Sequence, residues 1–331
     1  MDLSCIFIAF IAVFFVCIVF ACLIDSRRAP IEIKGAHVVI TGGSSGIGKE
    51  VARLATKKGA NVTILARNTK KLQSTIDELK KEAHHGQKLA MVSLDVSTVS
   101  CQEIRSSLQS IIGNLGPVKV LVHCAGFSVP GRAWQVSEED VKRMMDVNYL
   151  GSVKVSQALL PDMIANRNGA VIFTSSVAGL VGVYGLAPYC GSKFAIRGYA
   201  EALAAEMEPF DIRVSVNCPP DTDTPGFETE QATKPEETKL ISEGAGLFQP
   251  EEVAQTLLED GLRGKFLSSN GLDGWLSSHL TIGMAPSNLK DLLLQVSFLG
   301  LMRLIVYGYL KYFSYLIQKC HRRRESAKKT E

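Results

Sequence analysis

The eight cysteines include no C-x-x-C pair, and three of them, Cys5, Cys17 and Cys22, lie within one apolar run. That distribution excludes a zinc site and a disulfide framework, leaving free thiols of a cytosol-facing protein as the expectation. An excess of charge is also missing. Lys+Arg 36 against Asp+Glu 33 gives a formal net charge of +3, so no nucleic acid is expected as a partner. Internal repeats are absent. Charged residues are only 21% against 46% hydrophobic, which excludes a disordered chain and supplies enough apolar side chains for a core. A length of 331 residues suits one large α/β domain with attachments, or two small domains.

The two ends of the chain are apolar. Leu3 to Ile24 carries no charge and no proline, and a helix of that length, at ~1.5 Å per residue, crosses a hydrocarbon core of ~30 Å. The run starts Met1-Asp2 and its positive charges, Arg27 and Arg28, come after it, so an uncleaved anchor is expected rather than a signal peptide. Val19-Phe20-Ala21-Cys22 faintly resembles a lipoprotein cleavage site, but the basic start is missing. By the positive-inside rule Arg27, Arg28 and Lys34 keep the adjoining domain on the cytosolic side. Leu292 to Ile317 is apolar too, interrupted by Arg303 and Lys311 and succeeded by the basic run His321-Arg322-Arg323-Arg324. Those charges disfavour a full span. The expectation is an interfacial or tilted re-entrant helix, with packing against the domain's own core as the other reading. The division is then an anchor over 1–24, a basic linker over 25–34, a catalytic domain over 35–270, an apolar membrane-associated region over 271–318 and a basic tail over 319–331.

Between the ends, short β-branched runs alternate with helical stretches. Strands are expected at His37–Thr41, Asn61–Ala66, Leu89–Leu94, Val118–His123, Ala170–Thr174 and Arg213–Asn217, each pair far enough apart for a crossover helix. The fold class is α/β, a doubly wound parallel sheet of Rossmann type, whose ligands lie beyond the carboxyl ends of the strands. The stretch Pro219 to Phe248 has no clear pattern, and a loop of that length is expected to be a lid or a substrate-binding element.

Directly after the first strand comes Thr41-Gly42-Gly43-Ser44-Ser45-Gly46-Ile47-Gly48. Glycines here permit a tight turn and a close approach of backbone to a pyrophosphate at a helix N-terminus. The spacing T-G-x-x-x-G-x-G resembles that of the short-chain dehydrogenase/reductase family. The resemblance implies cofactor contacts from Gly42, Ser44, Ser45, Gly46, Ile47 and Gly48. In that family an acid at the end of the second strand selects NADH and an arginine selects NADPH; Ala66-Arg67-Asn68 has no acid. Arg67, with Lys71 a turn later, therefore argues for NADPH, because a guanidinium offers paired donors to a phosphate. Asp95 matches the family's adenine contact. Cys124-Ala125-Gly126 matches its N-A-G turn, with cysteine in place of asparagine, and Pro219-Pro220 its P-G turn, with Pro220 in place of glycine.

Tyr189 and Lys193 stand four apart on one helix face, a spacing at which an ammonium can favour the phenolate. With Asn148 and the tandem Ser175-Ser176 they resemble the family's Asn-Ser-Tyr-Lys tetrad. The resemblance implies that Tyr189 protonates a carbonyl oxygen, that a serine stabilises charge on it, that Lys193 also binds the nicotinamide ribose, and that Asn148 holds a water. A Ser-to-Tyr interval of thirteen selects Ser176; a one-residue shift would select Ser175, because adjacent strand residues face opposite ways.

The substrate is read from Pro219-Pro220-Asp221-Thr222-Asp223-Thr224-Pro225-Gly226-Phe227 and from Thr233 to Glu243, which resemble the substrate loop of the 3-ketodihydrosphingosine reductases, a branch of that family. Gly35-Ala36-His37, Phe194-Ala195-Ile196-Arg197-Gly198 and Gly283-Met284-Ala285-Pro286 agree. The resemblance implies NADPH-dependent reduction of a long-chain sphingoid-base ketone at the cytosolic face of the endoplasmic reticulum membrane, with the lipid bilayer as a partner. Asp221 and Asp223 are candidates for the substrate's ammonium, or else cap the adjacent turn. A homo-oligomer is left open, dimers being common in the family. Competing readings are a membrane-bound reductase of another lipid ketone, steroid or retinoid, and a nucleotide-binding scaffold.

Overall fold

A computed structural model describes residues 29–283 and 285–328. The expected anchor at Leu3 to Ile24 lies outside them. Seven parallel strands form one sheet in the order β3-β2-β1-β4-β5-β6-β7. They are β1 (His37–Thr41), β2 (Asn61–Ala66), β3 (Leu89–Ser93), β4 (Val118–His123), β5 (Gly169–Thr174), β6 (Ile212–Asn217) and β7 (Leu267–Ser268). Six coincide with the expected strands to within a residue. The seventh has only two residues, Leu267 and Ser268 beside Val216 and Asn217, too few to leave a periodic signal. The helices are α1 (Gly46–Lys57), α2 (Thr69–Glu82), α3 (Cys101–Leu115), α4 (Glu138–Met144), α5 (Gly151–Asn166), α6 (Ala187–Met207), α7 (Pro225–Thr233), α8 (Glu236–Ser242), α9 (Pro250–Arg263), α10 (Gly271–Leu280) and α11 (Leu289–Lys328).

Alternation along each strand divides the core into two layers. Val38 and Ile40 of β1 join Val120 and Val122 of β4 on one face, packed with Val51 and Ala55 of α1 and Leu257 and Leu258 of α9. Val39 and Leu121 point to the other face, among Ile104 and Leu108 of α3, Val155 and Leu159 of α5 and Ile196 and Leu203 of α6. Burying each such Val, Ile or Leu contributes ~1.5–3 kcal/mol. Both faces are covered, so the strands read as continuous apolar runs.

Two regions differ from the plain sheet. The stretch expected as a loop after β6 is a helical flap. Phe248 N donates to the Asp221 carbonyl and Asp223 N to the Phe248 carbonyl, closing its base at 3.0 and 2.9 Å, and α7 and α8 fill it. Thr224 caps α7 by accepting from Phe227 N at 3.1 Å, with Pro225 at the first helical position, an arrangement that starts helices well. Beyond β7 the chain turns back onto the domain: Arg197 donates to the Ile282 carbonyl at 3.0 Å and, more closely, to that of Thr281. Then α11 runs for 40 residues. It is apolar enough to cross a membrane, with an 18-residue window of mean hydropathy 1.6 that is only 11% buried. Its inner side buries Gln295, Met302, Leu316 and Cys320, while Leu299, Leu304, Ile305, Tyr307 and Tyr312 are exposed.

Candidate active site

Sheet order reverses between β1 and β4, and the crevice at such a switch point is where a doubly wound sheet takes its ligand. A cavity of about 1360 Å³ opens there, running from Arg67 and Lys71 past the glycine turn to Tyr189, the flap and α11. It exceeds the ~300–1,000 Å³ of a cleft for one small molecule. There is room for a dinucleotide and a second ligand.

The glycine turn has little freedom. Gly42 has φ +69°, and a Cβ there would stand 2.7 Å from Ala125 N; one on Gly48 would stand 2.5 Å from the Gly42 carbonyl oxygen. Backbone is therefore packed on backbone, and the N-terminus of α1 is left bare, since Ser45 makes no capping bond and the first turn holds no acid. Uncapped N–H groups at a cavity wall suit a pyrophosphate. Ser44, Ser45, Gly46, Ile47 and Gly48 line the same wall, so the residues present fit the cofactor. Arg67 projects from the end of β2, its side chain 68% exposed and 3.6 Å from Asp95. Asn68 caps α2 by accepting from Lys71 N at 3.0 Å, which sets Lys71 beside Arg67. Asp95 also accepts from Ser97 N and Oγ at 2.9 and 2.6 Å. Among the described residues, Arg67 and Lys71 are the two basic side chains lining that end of the cavity. A 2′-phosphate matches them; a bare ribose hydroxyl does not.

At the other end, α6 presents Tyr189 and Lys193 to the cavity. Lys193 is buried and donates from Nζ to the Thr174 carbonyl at 2.9 Å, with Nζ 5.6 Å from the centre of the Tyr189 ring. Burial brings the Lys193 ammonium down to about 8, so it is charged at neutral pH. The expected acidification of Tyr189 by this neighbour is corrected by the structure. Burial of the phenol, then the charge of Glu230, push Tyr189 up, and only the Ser176 hydroxyl pulls it the other way. Desolvation of the phenol is the largest of these influences. Tyr189 is thus held as the protonated phenol, the form a proton donor needs.

Both serines line the cavity and differ in what their hydroxyls meet. Ser175 is buried, and its Oγ donates to the Lys193 carbonyl at 3.1 Å. Ser176 lines the cavity, its Oγ accepting from Ala178 N at 3.1 Å and lying close to Tyr189. Asn148 sits in a π-helical turn, Met145–Leu150, an irregularity frequent at functional sites. Its side chain accepts from Phe127 N at 3.0 Å and donates to the Phe127 carbonyl at 3.0 Å and to Ser192 Oγ at 2.9 Å. Its backbone carbonyl accepts from Ser152 Oγ at 3.1 Å. Asn148 therefore braces the loop after β4 and joins it to the turn of α6 that carries Lys193. Cys124, in the place of the family's asparagine, shares a hydrogen bond with Thr174 at 3.3 Å, and burial raises its thiol to about 11. It is a neutral spacer there.

Sequence reasoning did not find Tyr184, Glu230 or the side of α11 that reaches the cavity with Tyr309, Phe313 and Ile317, and it had Glu237 only as part of the stretch resembling a substrate loop. Glu237, with no exposed side-chain surface, meets Arg132 at 3.7 Å and Arg324 of α11 more closely, and accepts from Tyr184 Oη at 3.0 Å. These partners lie tens of residues away in the chain, which is why no local pattern pointed to them.

Known proteins of similar sequence and structure agree with this geometry. The short chain dehydrogenase family matches residues 36–235. A Danio rerio protein named 3-dehydrosphinganine reductase is 44% identical over 301 residues, 90% of this chain and 90% of its own. A Bos taurus 3-ketodihydrosphingosine reductase is 43% identical over 293 residues, 88% of each chain. Among solved structures, an actinorhodin polyketide ketoreductase with NADPH aligns at 27% identity with a TM-score of 0.63, covering 71% of this chain and 95% of that one. Sheet order, glycine turn and tetrad geometry, together with these matches, make the chain a member of the short chain dehydrogenase family.

Proposed function

We propose that the chain reduces the 3-keto group of 3-ketodihydrosphingosine to give sphinganine, using NADPH. The observation that carries the reading is one cavity that joins the glycine turn, Ser176, Tyr189 and Lys193 to an apolar helix. Relatives with the sphinganine reductase names match across about nine-tenths of the chain. Gly42, Ser44, Ser45, Gly46, Ile47 and Gly48 hold the pyrophosphate, Arg67 and Lys71 the 2′-phosphate, and Asp95 the adenine end. NADPH, when bound, supplies the hydride that a carbonyl carbon accepts.

The chain's own groups supply the rest. Ser176 Oγ donates to the carbonyl oxygen, where negative charge develops. Tyr189 hands that oxygen its proton; an alkoxide is far more basic than even a raised phenol, so the transfer runs downhill. Lys193, positive and desolvated, then stabilises the phenolate left behind and orients the ribose. Asn148 keeps the Phe127 backbone and Ser192 in register with that lysine and, through its carbonyl, reaches the relay water. Ser175 fixes the start of α6 through the Lys193 carbonyl.

The membrane reading rests on α11. Its exposed apolar side and the basic residues Lys319, Arg322 and Arg323 suit a helix at an anionic bilayer surface. Arg303 and Lys311 favour lying in the interface over spanning. A cytosol-facing catalytic domain on the endoplasmic reticulum membrane then meets a single-chain amphiphile where that lipid resides.

Full-length protein in detergent or lipid is given NADPH and 3-ketodihydrosphingosine, and sphinganine is read by mass spectrometry. Formation of sphinganine with equal consumption of NADPH is expected. Binding of NADPH without turnover would point to a scaffold, and turnover of a steroid or retinoid ketone alone would move the substrate elsewhere.

A further inference from the structure

The flap carries a charge arrangement that the reduction itself does not use. Lys234, directly after α7, has no exposed side-chain surface; its Nζ meets Asp221 Oδ2 at 2.8 Å and Glu230 Oε1 at 2.9 Å and lies 4.7 Å from the Phe227 ring centre. Asp221 and Glu230 line the cavity, whereas Lys234 is sealed behind them. One cation between two carboxylates leaves one negative charge in excess at the wall. Such a charge in a desolvated place is costly unless something positive completes it. Burial accordingly pushes the Glu230 carboxyl up, against the pull of Lys234 and, more weakly, of the nearby Ser128 hydroxyl. Ser128 belongs to the same wall, with its Oγ tucked just behind the surface and without a hydrogen-bond partner. A carboxylate in excess and a hydroxyl oxygen with spare capacity are acceptors, and an ammonium brings three donors.

Position narrows the choice. Glu230, Asp221 and Tyr189 line the same cavity, so a cation completing Glu230 shares that space with the carbonyl that Tyr189 protonates. Of the two aspartates singled out from the sequence, Asp221 is held by Lys234, and Asp223 is exposed and absent from the cavity wall. Neither caps α7, a role taken by Thr224.

Resting on the reductase reading above, we infer that Glu230, steadied by Lys234 and Asp221, binds the ammonium on the carbon beside the reduced carbonyl and selects amino ketones over plain lipid ketones. Lys234 is then a positioning residue: it fixes Glu230 Oε1 and leaves the other oxygen for the ligand.

The test compares 3-ketodihydrosphingosine with the same chain carrying hydrogen in place of the amine, in the full-length protein with NADPH. The natural protein should prefer the amino ketone by about ten- to a hundredfold in kcat/KM, chiefly through KM, as for a hydrogen bond between charged groups. Glu230→Gln should reduce the preference to within about threefold, and Glu230→Asp should restore part of it. An undiminished preference in a Glu230→Gln protein that binds NADPH overturns the assignment. Equal use of both ketones by the natural protein overturns it too, with the reductase reading intact. Reduction of neither overturns both. Should the variants not fold, sphinganine and its des-amino diol are compared as inhibitors of the natural protein; equal inhibition overturns the inference.

Discussion

The cofactor end of the cavity and its substrate end are built from opposite materials. Gly42, Gly46, Arg67 and Lys71 come from two consecutive βα units, and the end they form is basic, with a bare helix terminus. Ser128, Tyr184, Glu230 and Phe313 come from separate parts of the remaining chain and form an end that is acidic and apolar, with Lys234 paired to Glu230 and Asp221 and, outside the wall itself, Glu237 paired to Arg132 and Arg324. A polyanionic cofactor shared across a family can be bound by backbone and a few cations close in sequence. A particular lipid needs walls that only distant segments supply. The two ends should therefore fail independently when mutated.

The sharpest separation comes from the residue between them. Tyr189→Phe removes the proton donor and none of the phosphate contacts, so kcat should fall by about 10²–10⁴-fold while NADPH affinity, read by fluorescence quenching, stays within about twofold. Retained turnover would give the donor role to another group. Arg67→Asp breaks the cofactor end alone. NADPH should bind about ten- to a hundredfold more weakly, NADH should be little affected, and KM for the ketone at saturating cofactor should hold; equal losses for both cofactors would remove the 2′-phosphate role.

The smallest effect is expected at the substrate end. Arg324→Ala takes one partner from the buried Glu237 but leaves Tyr184 and Arg132. Because Arg324 is itself one-third exposed, a loss of about 1–2 kcal/mol is expected in urea unfolding, with a higher ketone KM and unchanged NADPH affinity. Burial raises the Glu237 carboxyl, but Arg324 and Tyr184 overcome it and hold it below its usual 4.5. Stability from this clasp is thus complete above that value and is lost as pH falls through the lower folded pKa. Acid unfolding of Arg324→Ala should show a shallower dependence in that range, and an unchanged one would detach the clasp from Glu237.

How much was legible follows the same division. Strands β1 to β6 were readable because β-branched runs buried on both faces leave a local signal. β7 was not, since two residues make no pattern. The glycine turn and the Tyr189–Lys193 spacing were readable because backbone geometry and a helical turn act over a few residues. Ser175 and Ser176 were not told apart by the sequence, for both come after β5; packing adds that the Ser175 hydroxyl meets the Lys193 carbonyl while Ser176 lies close to Tyr189. The expected acidification of Tyr189 went the other way, because proximity in sequence reveals a neighbouring charge and not the desolvation that opposes it.

By itself the sequence determined the layered parallel sheet, the glycine turn after β1 and the placing of Tyr189 and Lys193 on one helix face, since each depends on periodicity or on residues within about one turn of each other. Tertiary structure alone decided the flap as two helices, the burial of Lys234 between Asp221 and Glu230, the tie from α11 to Glu237 and the upward push on the Tyr189 phenol. Those depend on which distant groups exclude water from one another, and the free energy of a charge is set by its surroundings in space.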